Sequence, residues 1–394
     1  MPSSSLPPLI MTSEMGTFAR QTIEELKANI VDRVLVDYDY TPPIREALLE
    51  LKSALTTGTI QPLQETTSDK ALWDEDTKPW WGKSWLEIPW LLAETYFYRK
   101  LLEAVDYFQP GPWRERDPYH RMKAGEIGKS LAPFLADYEQ MDDGYDQAGF
   151  ANAIAKALWG NRSDLSNLQH YDTEASTHHH QIIRNESATV YQLLSKGPAK
   201  IAYFFDNVGR EFYFDLAFIQ YLIKGGFVEH ITFYLKNQPF FVSDAMPSDY
   251  ALILDRLEGS GSEKAVQLAA DLKAWTRAGI ITVEDPPFLA TSRDFYRLPE
   301  SLSAQLASYD LAILKGDANY RRVIGDRHWD PTTDFADVTA YFPTSVVSLR
   351  TLKAELIVGL TPEQLEDFQQ NAESDWMING KRGMISYMGK TKAS

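Results

Sequence analysis

The chain has 394 residues, 44% of them hydrophobic and 12% aromatic, with no cysteine and a net charge of −16 from 39 Lys plus Arg against 55 Asp plus Glu. Lack of cysteine excludes disulfides, thiolate metal sites and a cysteine nucleophile, and so acidic a surface repels nucleic acid and anionic lipid at long range. An anionic small molecule would need a local positive site, such as a metal or converging Lys and Arg. No apolar run reaches the ~18–20 residues of a membrane span. The N-terminal "MPSSSLPPLIMTSEMG" lacks the basic and apolar regions of a signal peptide. The expectation is a soluble cytoplasmic protein.

In chain order, the first half reads mostly helical. "TPPIREALLELKSAL" has Thr41 as an N-cap, prolines where a first turn tolerates them, and apolar residues at helical spacing. The polar stretch from Gly58 to Gly82 shows no periodicity and reads as a long loop. "SWLEIPWLLAETYFYRKLLEAVDYF" predicts a helix after Ser84, kinked at Pro89, and "YDQAGFANAIAKALWG" a second one stopping near Gly160. The segment Ser166 to Gln181, with its "THHH", reads as loop; its histidines have no carboxylate at a ligand spacing. "NESATVYQLLSKGP" predicts a short helix with a Gly-Pro stop.

The pattern then changes. "AKIAYFFDN", "EHITFYLKN", "GIITVED", "YDLAILKGD" and "TSVVSLRT" are short runs rich in β-branched and aromatic residues, mostly separated by helical material. Strand alternating with helix predicts βαβ units and a largely parallel sheet. The expected organisation is a mostly helical region over 1–195 and an α/β region over 196–394.

In open parallel sheets, ligands bind beyond the carboxyl ends of the strands. Polar groups gather at four such ends here: Asp206 and Asn207 after the first, Asp244 in the connection after the second, Lys315, Asp317 and Asn319 at the fourth, and Arg350, Thr351 and Lys353 at the fifth. Taken singly, each reads as a turn, a cap or solvated surface. Together they suit an anion and a metal. Asp206, Asn207 and Asp244 offer hard oxygens of the kind that Mg²⁺ and Mn²⁺ take. Arg350 and Lys353 would orient a phosphate, and "GKRG" adds Lys381. A P-loop, a G-x-S-x-G elbow, an H-E-x-x-H pair and a G-x-G-x-x-G after a strand are all missing.

"FFDNVGREFYFDL", "FVSDAMPSD", "LKGDANYRR", "RTLKAE" and "GKRG" occur in the order seen in the metal-dependent damage-control phosphatases. The chain most resembles the branch named for acidic-residue (protein-glutamate O-) methyltransferase, whose hallmark is an Arg-Thr-x-Lys motif. The resemblance runs from about Trp85 to the C-terminus. It implies an α/β/α sandwich preceded by a helical domain. It implies a divalent metal on Asp206, Asn207 and Asp244: Mn²⁺ or Mg²⁺, with tolerance for Co²⁺ or Ni²⁺. It also implies hydrolysis of sugar phosphates such as fructose 1-phosphate and fructose 6-phosphate. Substrate contacts would come from the segment Arg350, Thr351, Leu352, Lys353 and Ala354, with Lys381 in the same pocket and Asp317 and Asn319 beside it. Glu211 lies in the motif tied to a methyltransferase activity claimed for this branch, which would use S-adenosylmethionine. That activity, and a non-catalytic phosphosugar-binding protein, are the alternatives. The "VGRE" after Asn207 departs from the commoner small–Gly–aromatic–Glu spelling.

Overall fold

In the computed structural model, which describes residues 6–141, 144–160 and 181–390, the five apolar runs become five strands of one sheet. They are β2 (Ala199–Phe204), β3 (Val228–Tyr234), β4 (Ile281–Glu284), β5 (Leu311–Lys315) and β6 (Ser345–Thr351). Two more strands complete it, β1 (Ile182–Asn185) and β7 (Gly383–Met388), in the order β1-β7-β6-β5-β2-β3-β4. All neighbours are parallel except β6 and β7. Neither stood out in the sequence: β1 is short and carries Arg184, and β7 starts at Gly383 directly after Lys381 and Arg382. β1 belongs to the sheet although it precedes residue 196.

The strands are apolar on both faces because both faces are covered. Along β2, Ile201 and Tyr203 pack on one core, against Phe212, Leu216 and Ile253. Ala202 and Phe204 alternate onto the other, against Phe295, Tyr320 and Val323. This is the expected α/β/α sandwich with a mostly parallel sheet.

The first part of the chain supplies helices α1 (Lys27–Asp37), α2 (Pro42–Thr57), α3 (Lys70–Thr77), α4 (Trp90–Ala104), α5 (His120–Glu139), α6 (Gln147–Trp159) and α7 (Ser187–Leu194). Thr41 has the extended backbone of an N-cap but makes no side-chain cap bond. The stretch 58–82 is not all loop, since α3 buries Trp73 within it. Pro89 starts α4 rather than kinking a longer helix: residues before a proline avoid helical geometry, and Ile88 instead pairs with Thr12, whose N–H donates to its carbonyl at 3.0 Å. The histidines 178–180 lie outside the described residues.

A separate core forms among α1 to α4 around Val34, Leu48, Trp73, Tyr96 and Leu101. Phe240, from the connection after β3, enters this core and joins it to the sheet. A buried charge network makes a second joint. Glu94 of α4 pairs with Lys27 of α1 at 2.7 Å and with Arg321 at 2.5 Å, and Arg321 also holds Asp326 at 2.7 Å. Among the described residues no helix is long and apolar enough to cross a membrane.

Candidate active site

The sheet order reverses between β2 and β5: the chain runs outward from β2 through β3 to β4, then returns to β5 on the other side of β2. A crevice at such a switch point is where parallel sheets bind ligands. Asp206 follows β2, and Gly316 follows β5 to open a helix, α8 (Gly316–Ile324). The two meet closely, since Gly316 has φ +80° and a Cβ there would stand 1.9 Å from Asp206 Oδ2.

Asn207 and Asp244 form an antiparallel bridge. The N–H of Val208 donates to Ser243 O at 2.8 Å, and the N–H of Ala245 donates to Asp206 O at 2.8 Å. These bonds flank Asn207 and Asp244 on both sides, so the two are a non-hydrogen-bonded pair. That geometry brings Cα atoms to about 4.5 Å and sets side chains side by side. The Asn207 amide donates through Nδ2 to Asp206 Oδ2 at 2.7 Å and to Glu211 Oε2 at 3.1 Å. Its Oδ1 accepts from Ser243 Oγ at 2.6 Å. Asp206 and Asn207, adjacent in the chain, and the distant Asp244 are therefore neighbours in space.

The group is buried and crowded with negative charge. Burial, with Glu211 and Asp244 nearby, pushes the Asp206 carboxyl well above the usual carboxylate range, against the pull of Lys236 and Lys353. Burial also raises Asp244, with Lys236 opposing it from 3.0 Å. One step away, the Lys315 ammonium lies 2.9 Å from Asp215 and 3.5 Å from Glu211. Burial lifts Asp215 to about 7 although Lys315 holds it down. Among the described residues no three His, Asp or Glu side chains converge as a ready metal-binding set; the set here is two carboxylates and an amide.

The remaining sequence-derived residues fall into two groups. Lys353, Asn207 and Ser243 line a cavity of about 760 Å³ that α1 and α5 also line, with Arg33, Arg121 and Lys129 beside the acidic Asp32, Asp37 and Glu126. Lys353 is half-buried and makes no ion pair among the described residues. Arg350 does not face that space. It is fully buried; its Nε donates to Asp317 at 2.7 Å, and its other nitrogens donate to the carbonyls of Leu356 and Ala354 at 2.7 and 3.1 Å. It also covers the Tyr320 ring at 4.1 Å. A buried guanidinium requires all these acceptors, so Arg350 braces the turn that presents Lys353.

Asp317 takes part in the same brace and accepts from the N–H of Lys353 at 3.2 Å. Asn319 donates to the carbonyls of Phe205 and Lys315, tying the ends of β2 and β5 together. Thr351, Leu352 and Ala354 are buried, and the N–H of Leu352 donates to Arg382 O. Lys381 lies close by along the backbone, but its exposed ammonium pairs with Glu373 at 3.0 Å. Glu211 is buried between Asn207 and Lys315.

Sequence reasoning missed Lys236, Ser243 and the wall from α1 and α5. Lys236 and Ser243 lie within "KNQPFFVSDAM", where only the Asp stood out. The α5 residues lie in "HRMKAGEIGKSLAPFLADYE", a helix that did not stand out in the sequence.

Comparison with known proteins identifies the family. The Damage-control phosphatase ARMT1-like domain matches residues 11–368. Damage-control phosphatase ARMT1 of Danio rerio is 30% identical over 335 residues, covering 77% of this chain and 74% of that protein. The protein of the same name from Homo sapiens is 28% identical over 337 residues, covering 78% and 76%. A crystal structure of a DUF89 family protein from Pyrococcus horikoshii shares the fold, with a TM-score of 0.50 at 12% identity over 94% of this chain and 98% of that one. The chain belongs to the damage-control phosphatase family, in its ARMT1-like group.

Proposed function

We propose that this protein is a metal-dependent phosphomonoester hydrolase acting on sugar phosphates, with fructose 1-phosphate and fructose 6-phosphate as substrates. The observation that carries the reading is the side-by-side pair of Asn207 and Asp244 with Asp206 against it, at the switch point and beside a cavity that Lys353 faces.

Asp206, Asn207 and Asp244 would hold the metal, Mn²⁺ or Mg²⁺. Three features support the fit. Two buried carboxylates and Glu211 crowd together without enough positive charge. Asp244 Oδ2 is buried and, among the described residues, is met by the Lys236 ammonium at 3.0 Å without an aligned hydrogen bond. The donors are hard oxygens, as these cations require. A bound divalent cation polarises a phosphoryl oxygen and lowers the pKa of water.

The chain's own residues do the rest. Lys353 supplies a point charge for the phosphate oxygens. Arg350 and Asp317 hold the Lys353 backbone in place. Arg33, Arg121 and Lys129 offset the repulsion that a chain of charge −16 exerts on an anion. Asp206 either attacks phosphorus and displaces the sugar alkoxide, giving an aspartyl phosphate that water then hydrolyses, or takes a proton from a water that itself attacks phosphorus and displaces the sugar; acid-quench trapping of an aspartyl phosphate during turnover separates the two routes.

The test is phosphate release from a sugar-phosphate panel with Mn²⁺ against an EDTA control. Release of phosphate from the fructose phosphates, lost in EDTA and restored by Mn²⁺, is the expected result. Equal release in EDTA, or none with any sugar phosphate, defeats the reading.

A further inference from the structure

The connection from β3 to Asp244 is strained in a place where strain has a use. Phe241 and Val242 have φ +44° and +64°. Side chains with a Cβ avoid this left-handed region, and a β-branched valine avoids it most. The N–H of Ser243 donates back to Phe241 O at 2.7 Å, which closes a three-residue turn around Val242. With positive φ at its centre this is the rarer, strained hand of the γ-turn. Such geometry persists only where surrounding structure over-determines it.

The surroundings do so from both ends. On one side, Phe240 is buried in the helical core, and Tyr98 packs on Phe240 and Phe241 with ring centroids 5.9 and 5.0 Å away. On the other, Ser243 and Ala245 pair with Val208 and Asp206. The turn converts the path of an aromatic anchor into the register of a two-residue ladder. Its product is the Ser243 hydroxyl, 2.6 Å from Asn207 Oδ1 on the cavity wall.

That hydroxyl has a task. An amide side chain can flip, and its two ends have opposite demands. Asn207 Nδ2 faces the carboxylates of Asp206 and Glu211, which only accept. Glu211 is itself held by Lys315. Ser243 is the donor at the oxygen end. A flip would set the amide oxygen against two carboxylates and the NH₂ against a hydroxyl already placed to donate.

We propose that Ser243 is a positioning residue for the reaction. Presented by the strained turn at Phe241–Val242, it holds the Asn207 amide in one orientation, with the oxygen on the Ser243 side and the NH₂ toward Asp206 and Glu211, and so fixes that ligand before a cation arrives. The proposal rests on the metal-dependent reading above. Outer partners that orient ligands are worth about 10–100-fold in metal affinity or activity.

The experiment measures Mn²⁺ affinity of the full chain by electron paramagnetic resonance, together with the metal-free Tm, for wild type, Ser243→Ala, Ser243→Thr and Val242→Gly. The expected result is Mn²⁺ affinity about tenfold or more weaker in Ser243→Ala at an unchanged metal-free Tm, and recovered in Ser243→Thr. Val242→Gly, which relieves the strain but loosens the turn, should raise the metal-free Tm while weakening Mn²⁺ binding. Wild-type Mn²⁺ binding that Ser243→Ala matches overturns this proposal alone. Equal weakening in Ser243→Ala and Ser243→Thr overturns it too, because the hydroxyl is then not the operative group. A wild-type chain that binds no Mn²⁺ overturns the metal-dependent reading and this proposal with it.

Discussion

Gly316 has no side chain where a Cβ would lie 1.9 Å from Asp206 Oδ2, and its φ of +80° is one that other residues resist. Two separate constraints therefore demand glycine at the end of β5. Gly316→Ala should cost about 1–3 kcal/mol of stability from the backbone alone. It should also push the Asp206 carboxylate aside, and displacements near 1 Å cost about 100-fold in rate. Thermal unfolding and phosphate-release kinetics on the same preparation check both effects.

Asp206→Asn separates function from stability. The crowding of Asp206 with Glu211 and Asp244 costs stability when no cation is present. Replacing the charge by an amide should leave the metal-free Tm equal or higher, while phosphate release falls to background. A saturating metal should stabilise wild type by about 2.7 kcal/mol at a hundredfold excess over Kd, and Asp206→Asn by much less. A large drop in Tm without metal would show that this carboxylate is structural.

Arg350 and Lys353, three residues apart in one motif, should respond differently to replacement. Arg350→Ala leaves Asp317 and two carbonyls without their donor in a buried place and should destabilise by about 3–5 kcal/mol. Lys353→Ala removes a half-buried charge with no ion pair among the described residues and should change stability by no more than about 0.5 kcal/mol. Its effect should be on kcat/KM, lower by about tenfold or more if a charged hydrogen bond to phosphate is lost. Urea denaturation and steady-state kinetics of the two variants distinguish brace from phosphate ligand.

Glu94 joins the helical region to the sheet through Lys27 and Arg321. Burial by itself would push this carboxyl up; the two cations overcome that and hold it below the ordinary glutamate range. A depressed folded-state pKa means stability that is present above the unfolded value, about 4.3, and lost as pH falls through the folded value. Glu94→Gln should destabilise by about 3–5 kcal/mol at pH 7. The gap between variant and wild type should narrow below about pH 4. Urea midpoints measured from pH 7 to pH 3 check the trend.

The strands β2 to β6 were legible because a strand covered on both faces is a short apolar run, and such runs alternate with helices here. β1 and β7 were not, because Arg184 interrupts the short β1 and β7 starts at Gly383 directly after Lys381 and Arg382. Pro89 was legible as an interruption but not as a helix start, since that depended on a remote partner, Thr12. Asp206, Asn207 and Asp244 stood out as oxygen-bearing residues at strand ends. That Asn207 and Asp244 are a cross-strand pair depends on backbone bonds between segments remote in sequence, from the N–H of Val208 to Ser243 O and from the N–H of Ala245 to Asp206 O.

The sequence by itself determined the fold class, through the period of its apolar residues, and the stock of polar groups at the strand ends. Only the tertiary structure decided what each of them faces. Arg350 and Lys353 differ little as letters, yet one is enclosed by Asp317 and two carbonyls and the other looks onto the cavity. The reason is physical: local periodicity follows from bonds between near neighbours in the chain, whereas a buried charge is placed by acceptors that folding brings from elsewhere.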